Sequence, residues 1–200
     1  MQDPSTEQKI LEAAISIFQK KGMAGTRMQE IADEAKINKA MLHYYFRSKQ
    51  RLFEAVFMQA FQQLAPHVNE IFNADATVFE KVESFVDKYI SFVLVNPYIP
   101  SFLIQEINNN PKFAQTFFSA HGVPDPSQFE QQIAEEIQQG ILKPIDPKQF
   151  LLNLFSLTAF SFAANGLVKG LLNIDNETFM MMMEERKKLI PELIINSIKR

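Results

Sequence analysis

Apolar residues recur at helical spacing along nearly the whole chain. Ile10, Leu11, Ala14, Ile15 and Phe18 share one face of a first helix that Ser5 is placed to cap and Gly22 to stop. Thr26 stands where it would cap a short helix reaching Ala35, with Met28, Ile31, Ala32 and Ala35 as its apolar stripe. A second short helix is predicted from Asn38 to about Tyr45, too short to persist unless it packs on neighbours. Ser48 then caps a longer helix carrying Leu52, Phe53, Val56, Phe57, Ala60, Phe61 and Leu64, and Pro66 either kinks it or opens a new turn. Further helices are predicted over 76–95, 100–109, 111–120, 126–139, 147–170 and 176–198, separated by proline, asparagine and glycine breaks. No segment alternates with period two between hairpin turns, so the fold class is all-α, with about nine or ten helices.

One stretch departs from simple amphipathicity. From Phe150 to Val168 there is no charged residue. Asn153, Ser156, Thr158, Ser161, Asn165 and Gly166 dilute it, and no second such span exists, so a membrane crossing is not expected. A helix that is apolar nearly all round is expected between the protein's own core and a second surface, such as another subunit.

Composition narrows the classes. The 200 residues include 19 Phe, 9 Met, 6 Gly, no Trp and no Cys. The missing cysteines remove disulfides, thiolate metal sites and thiol nucleophiles. With no basic-then-apolar leader at the N-terminus, the expected compartment is a reducing cytoplasm. The formal net charge is -3, but residues 1–51 carry +3 and the remainder -6. Positive charge therefore gathers at one end, a modest sign of an anion-binding module. Three histidines at 43, 67 and 121, without a glycine-rich phosphate loop or metal-ligand spacing, offer no catalytic constellation. No enzyme activity, metal or cofactor is expected.

Residues 27–46 place two short helices around Ala35-Lys36-Ile37, a connection with room for nothing else. This is the spacing of a helix-turn-helix, whose second helix enters the DNA major groove while the first braces it. Ile31, Ala32 and Ala35 suit close helix crossing, and Ile37, Leu42 and Phe46 would anchor the second helix. Asn38, Lys39, Ala40, Met41, His43, Tyr44 and Tyr45 are left mostly outward, supplying charge, ring donors and apolar contacts for base edges. Thr26, Arg27 and Lys49 flank this face as phosphate-side candidates.

The run from Gly25-Thr26-Arg27 through Ile31-Ala32, Ala35, Leu42, Tyr45-Phe46 and Ser48-Lys49 to Leu52 resembles the DNA-binding signature of TetR-type transcriptional regulators. The resemblance covers about the first quarter of the chain. Lys36 stands at the usual turn glycine, Ala40 at the glycine inside the recognition helix and His43 at the first tyrosine. By resemblance, Thr26, Tyr45 and Lys49 would hold phosphates, with Lys39, Ala40, His43 and Tyr44 nearest the bases.

The resemblance implies a DNA-binding domain at 1–48 and a helical effector-binding and dimerisation domain at 49–200. Dimerisation would use a bundle built from the last two long helices, with Phe150, Leu154, Leu157, Phe179, Met183, Ile190 and Ile194 as interface candidates. An effector pocket is expected among Phe85, Tyr89, Phe92, Phe102, Phe117, Phe155 and Phe162, with Gln105, Asn108, His121 and Asn165 as polar candidates. That lining favours a small apolar or aromatic ligand. The expected function is a ligand-responsive regulator, usually a repressor, binding palindromic operator DNA as a homodimer. The helix after Ser48 would carry the signal, with Pro66 as a flex point. The alternative is a helical ligand-carrier or interaction protein that has lost DNA binding.

Overall fold

The structure, a computed structural model, describes residues 4–97, 99–101, 104 and 125–200. Helix α1 (Pro4–Gly25) starts one residue before Ser5, which therefore lies inside it rather than capping it. Gly22 does leave helical geometry, at φ 65° and ψ 174°, a left-handed conformation that glycine adopts without a Cβ clash. Helical turns nevertheless resume as far as Gly25.

Helix α2 (Met28–Glu34) is preceded by Arg27 as its N-cap, not Thr26. The Arg27 N–H donates to Glu30 Oε2 at 3.0 Å, and Lys21 Nζ holds Glu30 Oε1 at 2.7 Å. Helix α3 (Lys39–Tyr45) is capped as expected: the Met41 N–H donates to Asn38 Oδ1 at 2.7 Å. Between them the Ile37 N–H reaches the Ala32 carbonyl at 3.0 Å while Lys36 takes φ 56°. Helix α4 (Lys49–Phe72) has Ser48 as its cap and runs on through Pro66, so that proline opens no new turn.

Helices α5 (Val78–Val95) and α6 (Ser127–Gln138) follow the predicted ranges within a few residues. The single helix expected over 147–170 is two. Helix α7 (Pro147–Ala163) and helix α8 (Asn165–Leu172) meet at Ala164 with a bend of 78°. Asn165 and Gly166, both weak helix formers, follow the break. Helix α9 (Asn176–Ile198) is capped by Asp175 and contains Pro191 without interruption. The chain end is tied back where the Lys143 N–H donates to the Ile198 carbonyl at 2.7 Å.

Two hydrophobic cores result. The first packs Ile10, Ala14 and Phe18 of α1, Ile31 and Ala32 of α2 and Leu42 of α3 against Leu52, Phe53, Val56 and Phe57 of α4. The second joins the far end of α4 (Val68, Ile71, Phe72) to α5, α6, α7 and α9. Helix α4 is thus a rod shared by both. Ile99 also packs into the first core, and Phe92 lies against both. The first core therefore extends past the expected boundary at residue 48, because two turns of α4 complete it.

Among the described residues no single helix is long and apolar enough to cross a membrane. Helices α7 and α8 reach that length only as a bent pair. The uncharged stretch is explained by α7 itself: Phe150, Leu151, Leu154 and Phe162 are buried in the second core while Leu152 and Phe160 face outward.

Candidate nucleic-acid interface

Helix α3 owes its position to two inward residues. Leu42 is fully buried and Phe46 nearly so, both against α1, α2 and α4. With that face fixed, Lys39, Ala40, Met41, His43 and Tyr44 are exposed, Tyr44 by 71%. Tyr45 is half-buried, and its ring meets Tyr44 edge-on with centroids 5.6 Å apart. His43 Nδ1 lies 3.3 Å from the Arg47 carbonyl. With the hydrogen on Nδ1, that contact orients the ring and leaves Nε2 as an acceptor. The surface is a short, shape-defined ridge of one cation, two small or flexible apolar side chains and two ring donors. Such a ridge fits the width and the mixed donor, acceptor and methyl pattern of a major groove.

Two expected phosphate holders do other work. Thr26 is buried, and its hydroxyl donates to the Gly22 carbonyl at 2.6 Å, so it is closed to a phosphate. Lys49 is half-buried and donates to the carbonyls of Met23 and Thr26 at 2.8 and 2.9 Å. Together they close the turn between α1 and α2. The charges that do face outward are Arg27, Lys36, Lys39 and Arg47, none paired with a carboxylate among the described residues. Lys36 and Arg47 stand outside the expected contacts; their only sequence signal is a basic side chain at each end of α3. Glu30, by contrast, is neutralised, its pKa held below the ordinary carboxylate value chiefly by Lys21 and then by the Arg27 backbone.

The expected effector pocket divides. Phe85 and Phe162 are buried core residues with no surface to offer a ligand. Tyr89, Phe92 and Asn165 are half-buried and Phe155 is more open. Burial pushes the Tyr89 hydroxyl up to about 12, so it stays protonated as a donor. Phe155 sets its edge on Phe85 and Phe72, with centroids 5.4 and 6.4 Å away. Phe102, Gln105, Asn108, Phe117 and His121 lie outside the described residues.

The expected dimer contacts point the wrong way. Phe150, Leu154, Phe179, Met183, Ile190 and Ile194 are all buried in the protomer's own second core, and Leu157 is half-buried against it. A side chain without exposed surface cannot be the one that meets a partner. The outward apolar set is instead Leu152, Phe160, Leu167, Leu171, Leu172, Met181, Leu189 and Leu193, each 50–79% exposed. Both faces of α9 are apolar, so periodicity alone assigns the wrong one to the partner.

Residues 10–56 match the family described as bacterial regulatory proteins, tetR family. The chain is 25% identical over 155 residues to the Bacillus subtilis (strain 168) protein named "Probable HTH-type transcriptional regulator YttP", covering 76% of this chain and 75% of that one. It is 45% identical over 51 residues to the HTH-type transcriptional repressor NicS of Pseudomonas putida, spanning 26% of this chain but only 24% of NicS. In fold it is similar to the TetR family transcriptional regulator PfmR from Thermus thermophilus. That likeness has a TM-score of 0.73 over 96% of this chain and 99% of PfmR, at 18% identity, and concerns fold alone.

Proposed function

We propose, from the premise that this chain belongs to the TetR family of transcriptional regulators, that it is a ligand-responsive repressor acting on palindromic operator DNA as a homodimer. A regulator of this kind is not an enzyme, and its place of work is the cytoplasm, where its DNA is. The observation that carries the reading is the exposed face of α3. Lys39, Ala40, Met41, His43 and Tyr44 are held outward by a buried Leu42 and engaged by no other part of the protomer's core.

Pairing is needed on physical grounds. A helix of seven residues reads few base pairs, and two copies related by a two-fold axis match half-sites about one helical turn apart. The eight outward apolar side chains of α7, α8 and α9 are the surface we assign to that pairing. A small apolar or aromatic effector is assigned to the region of Tyr89, Phe92 and Phe155. Phe155 touches Phe72, the last residue of α4, so ligand contact there bears directly on the rod that enters the DNA-binding core. A ligand that favours one tilt of α4 must weaken DNA binding if DNA favours another.

Selection of bound sequences from a random duplex pool tests the proposal. Recovery of a palindrome, lost with Lys39→Glu, supports it. Absence of any salt-dependent DNA binding overturns it and favours a carrier protein instead.

A further inference from the structure

The outward side of α9 has a composition that suits one partner above others. Met181, Met182, Glu185, Arg186, Leu189 and Leu193 recur along it at spacings of three and four residues, all exposed or half-exposed. Within that otherwise apolar stripe stand one acid and one base, adjacent in sequence. Neither forms an ion pair with any described residue. Adjacent helix positions diverge by about 100°, so Glu185 and Arg186 do not satisfy each other.

Arg186 is also held in place. Its Nη2 donates to the Leu157 carbonyl at 2.8 Å, which fixes the guanidinium at the seam of α7 and α9. There it lines an open groove of about 530 Å³ whose other walls are mostly apolar, among them Phe155, Ala159 and Phe160. Burial pulls its pKa below the ordinary arginine value. A partly desolvated guanidinium with unused donors and no anion is an unfinished arrangement.

We propose that α9 docks antiparallel on α9 of a second copy of this chain, about a two-fold axis between Glu185 and Arg186, so that each Arg186 pairs with Glu185 of the partner subunit. A two-fold interface must be self-complementary, residue i meeting j wherever j meets i, and an adjacent acid and base straddling the axis satisfy that condition twice. The same register sets Met182 against Leu189 of the partner subunit, apolar on apolar. The area is also adequate: the eight exposed apolar side chains of α7 to α9 are on the scale of the roughly 800 Å² per partner that a stable interface buries. The pair would act as a selectivity device, since an apolar helix face without it would accept many partners. The inference rests on the homodimer reading above and deepens it.

Charge swaps followed by sedimentation velocity test it on the full chain. Glu185→Arg places two bases on each side of the axis and Arg186→Glu two acids, and each alone is expected to weaken dimerisation by about 100-fold or more. Mixing the two variants restores a dimer, now a heterodimer, and the double swap Glu185→Arg/Arg186→Glu restores a homodimer. Recovery on mixing also shows that both variants are folded. If the wild type is a monomer throughout, the homodimer reading falls and this inference with it. If the wild type and both single variants dimerise alike, or if mixing restores nothing, the homodimer stands and the charge pairing is wrong.

Discussion

Lys81 donates its ammonium hydrogen to the carbonyl oxygen of Phe72 at 2.9 Å, and Phe72 is the last residue of α4. The same ammonium donates to Gln132 Oε1 and lies 5.3 Å from the centre of the Phe129 ring. Gln132 in turn donates to the Ala76 carbonyl and to Glu136 Oε1, both at 2.8 Å. One buried polar network therefore joins the end of α4 to α5 and α6, at the end opposite the DNA-binding core. Lys81→Met keeps the packing volume but strands the Phe72 carbonyl and Gln132 without a donor. It should cost about 1–3 kcal/mol in urea unfolding.

Burial lowers the Lys81 pKa below the ordinary lysine value, with Glu136 and Asp75 partly opposing the shift. In the window between the folded and unfolded values, the unfolded chain binds more protons. This group's contribution to stability therefore rises as pH climbs through that window. The difference in stability between the wild type and Lys81→Met should widen toward alkaline pH. Urea midpoints measured in parallel across that range check it, and a flat difference would contradict the assignment.

Lys36 occupies the turn between α2 and α3 at φ 56°, a conformation that crowds the Cβ of any residue but glycine. Lys36→Gly should stabilise the protein, by about 0.5–1 kcal/mol after the added freedom of the unfolded chain is counted. If Lys36 also lies near a phosphate, the same change lowers operator affinity and flattens its salt dependence by about one phosphate per protomer. A thermal melt and a salt titration of DNA binding, done on one variant, would separate the two effects. A melt at or below the wild-type temperature would refute the strain argument.

Features set within a few residues were legible in the sequence. Asn38 and Ser48 cap where their types and positions predict, and Leu42 and Phe46 face inward because their spacing is a property of the helix alone. Assignments that depend on a distant partner were not. Met183, Ile190 and Ile194 repeat with the same period as Met182, Leu189 and Leu193, and only the packing of α5 against α9 decides which set is core. Lys49 has the type and position of a phosphate ligand, but its acceptors lie 26 and 23 residues earlier in the chain. Nothing local marks Arg186 either; its significance comes from Leu157 on another helix.

Glu30 accepts from both Lys21 and the Arg27 backbone, and its folded pKa lies below the unfolded one. Its contribution to stability is therefore present above the unfolded value and disappears as pH falls through the folded one. Glu30→Gln should leave a protein whose DNA-binding core depends less on pH in the acid range. Denaturation midpoints at neutral and acid pH, wild type against variant, provide the measurement, and parallel acid losses in both would count against it.

Lys49 offers the sharpest separation of a positioning role from a phosphate contact. A lysine that neutralises a phosphate releases counterions, so its loss reduces the slope of log affinity against log salt by about 0.9 per phosphate. A lysine that only closes the turn before α2 leaves that slope alone, because no phosphate charge is uncovered when it goes. Two of the three ammonium hydrogens of Lys49 are already committed to the Met23 and Thr26 carbonyls. Lys49→Met should thus weaken operator binding and lower thermal stability while the salt slope stays at the wild-type value. Lys39→Met, at an exposed position on α3, should do the reverse: stability unchanged and the slope reduced. If Lys49→Met flattens the slope as much as Lys39→Met does, its ammonium leaves the turn on binding DNA and the positioning role is wrong.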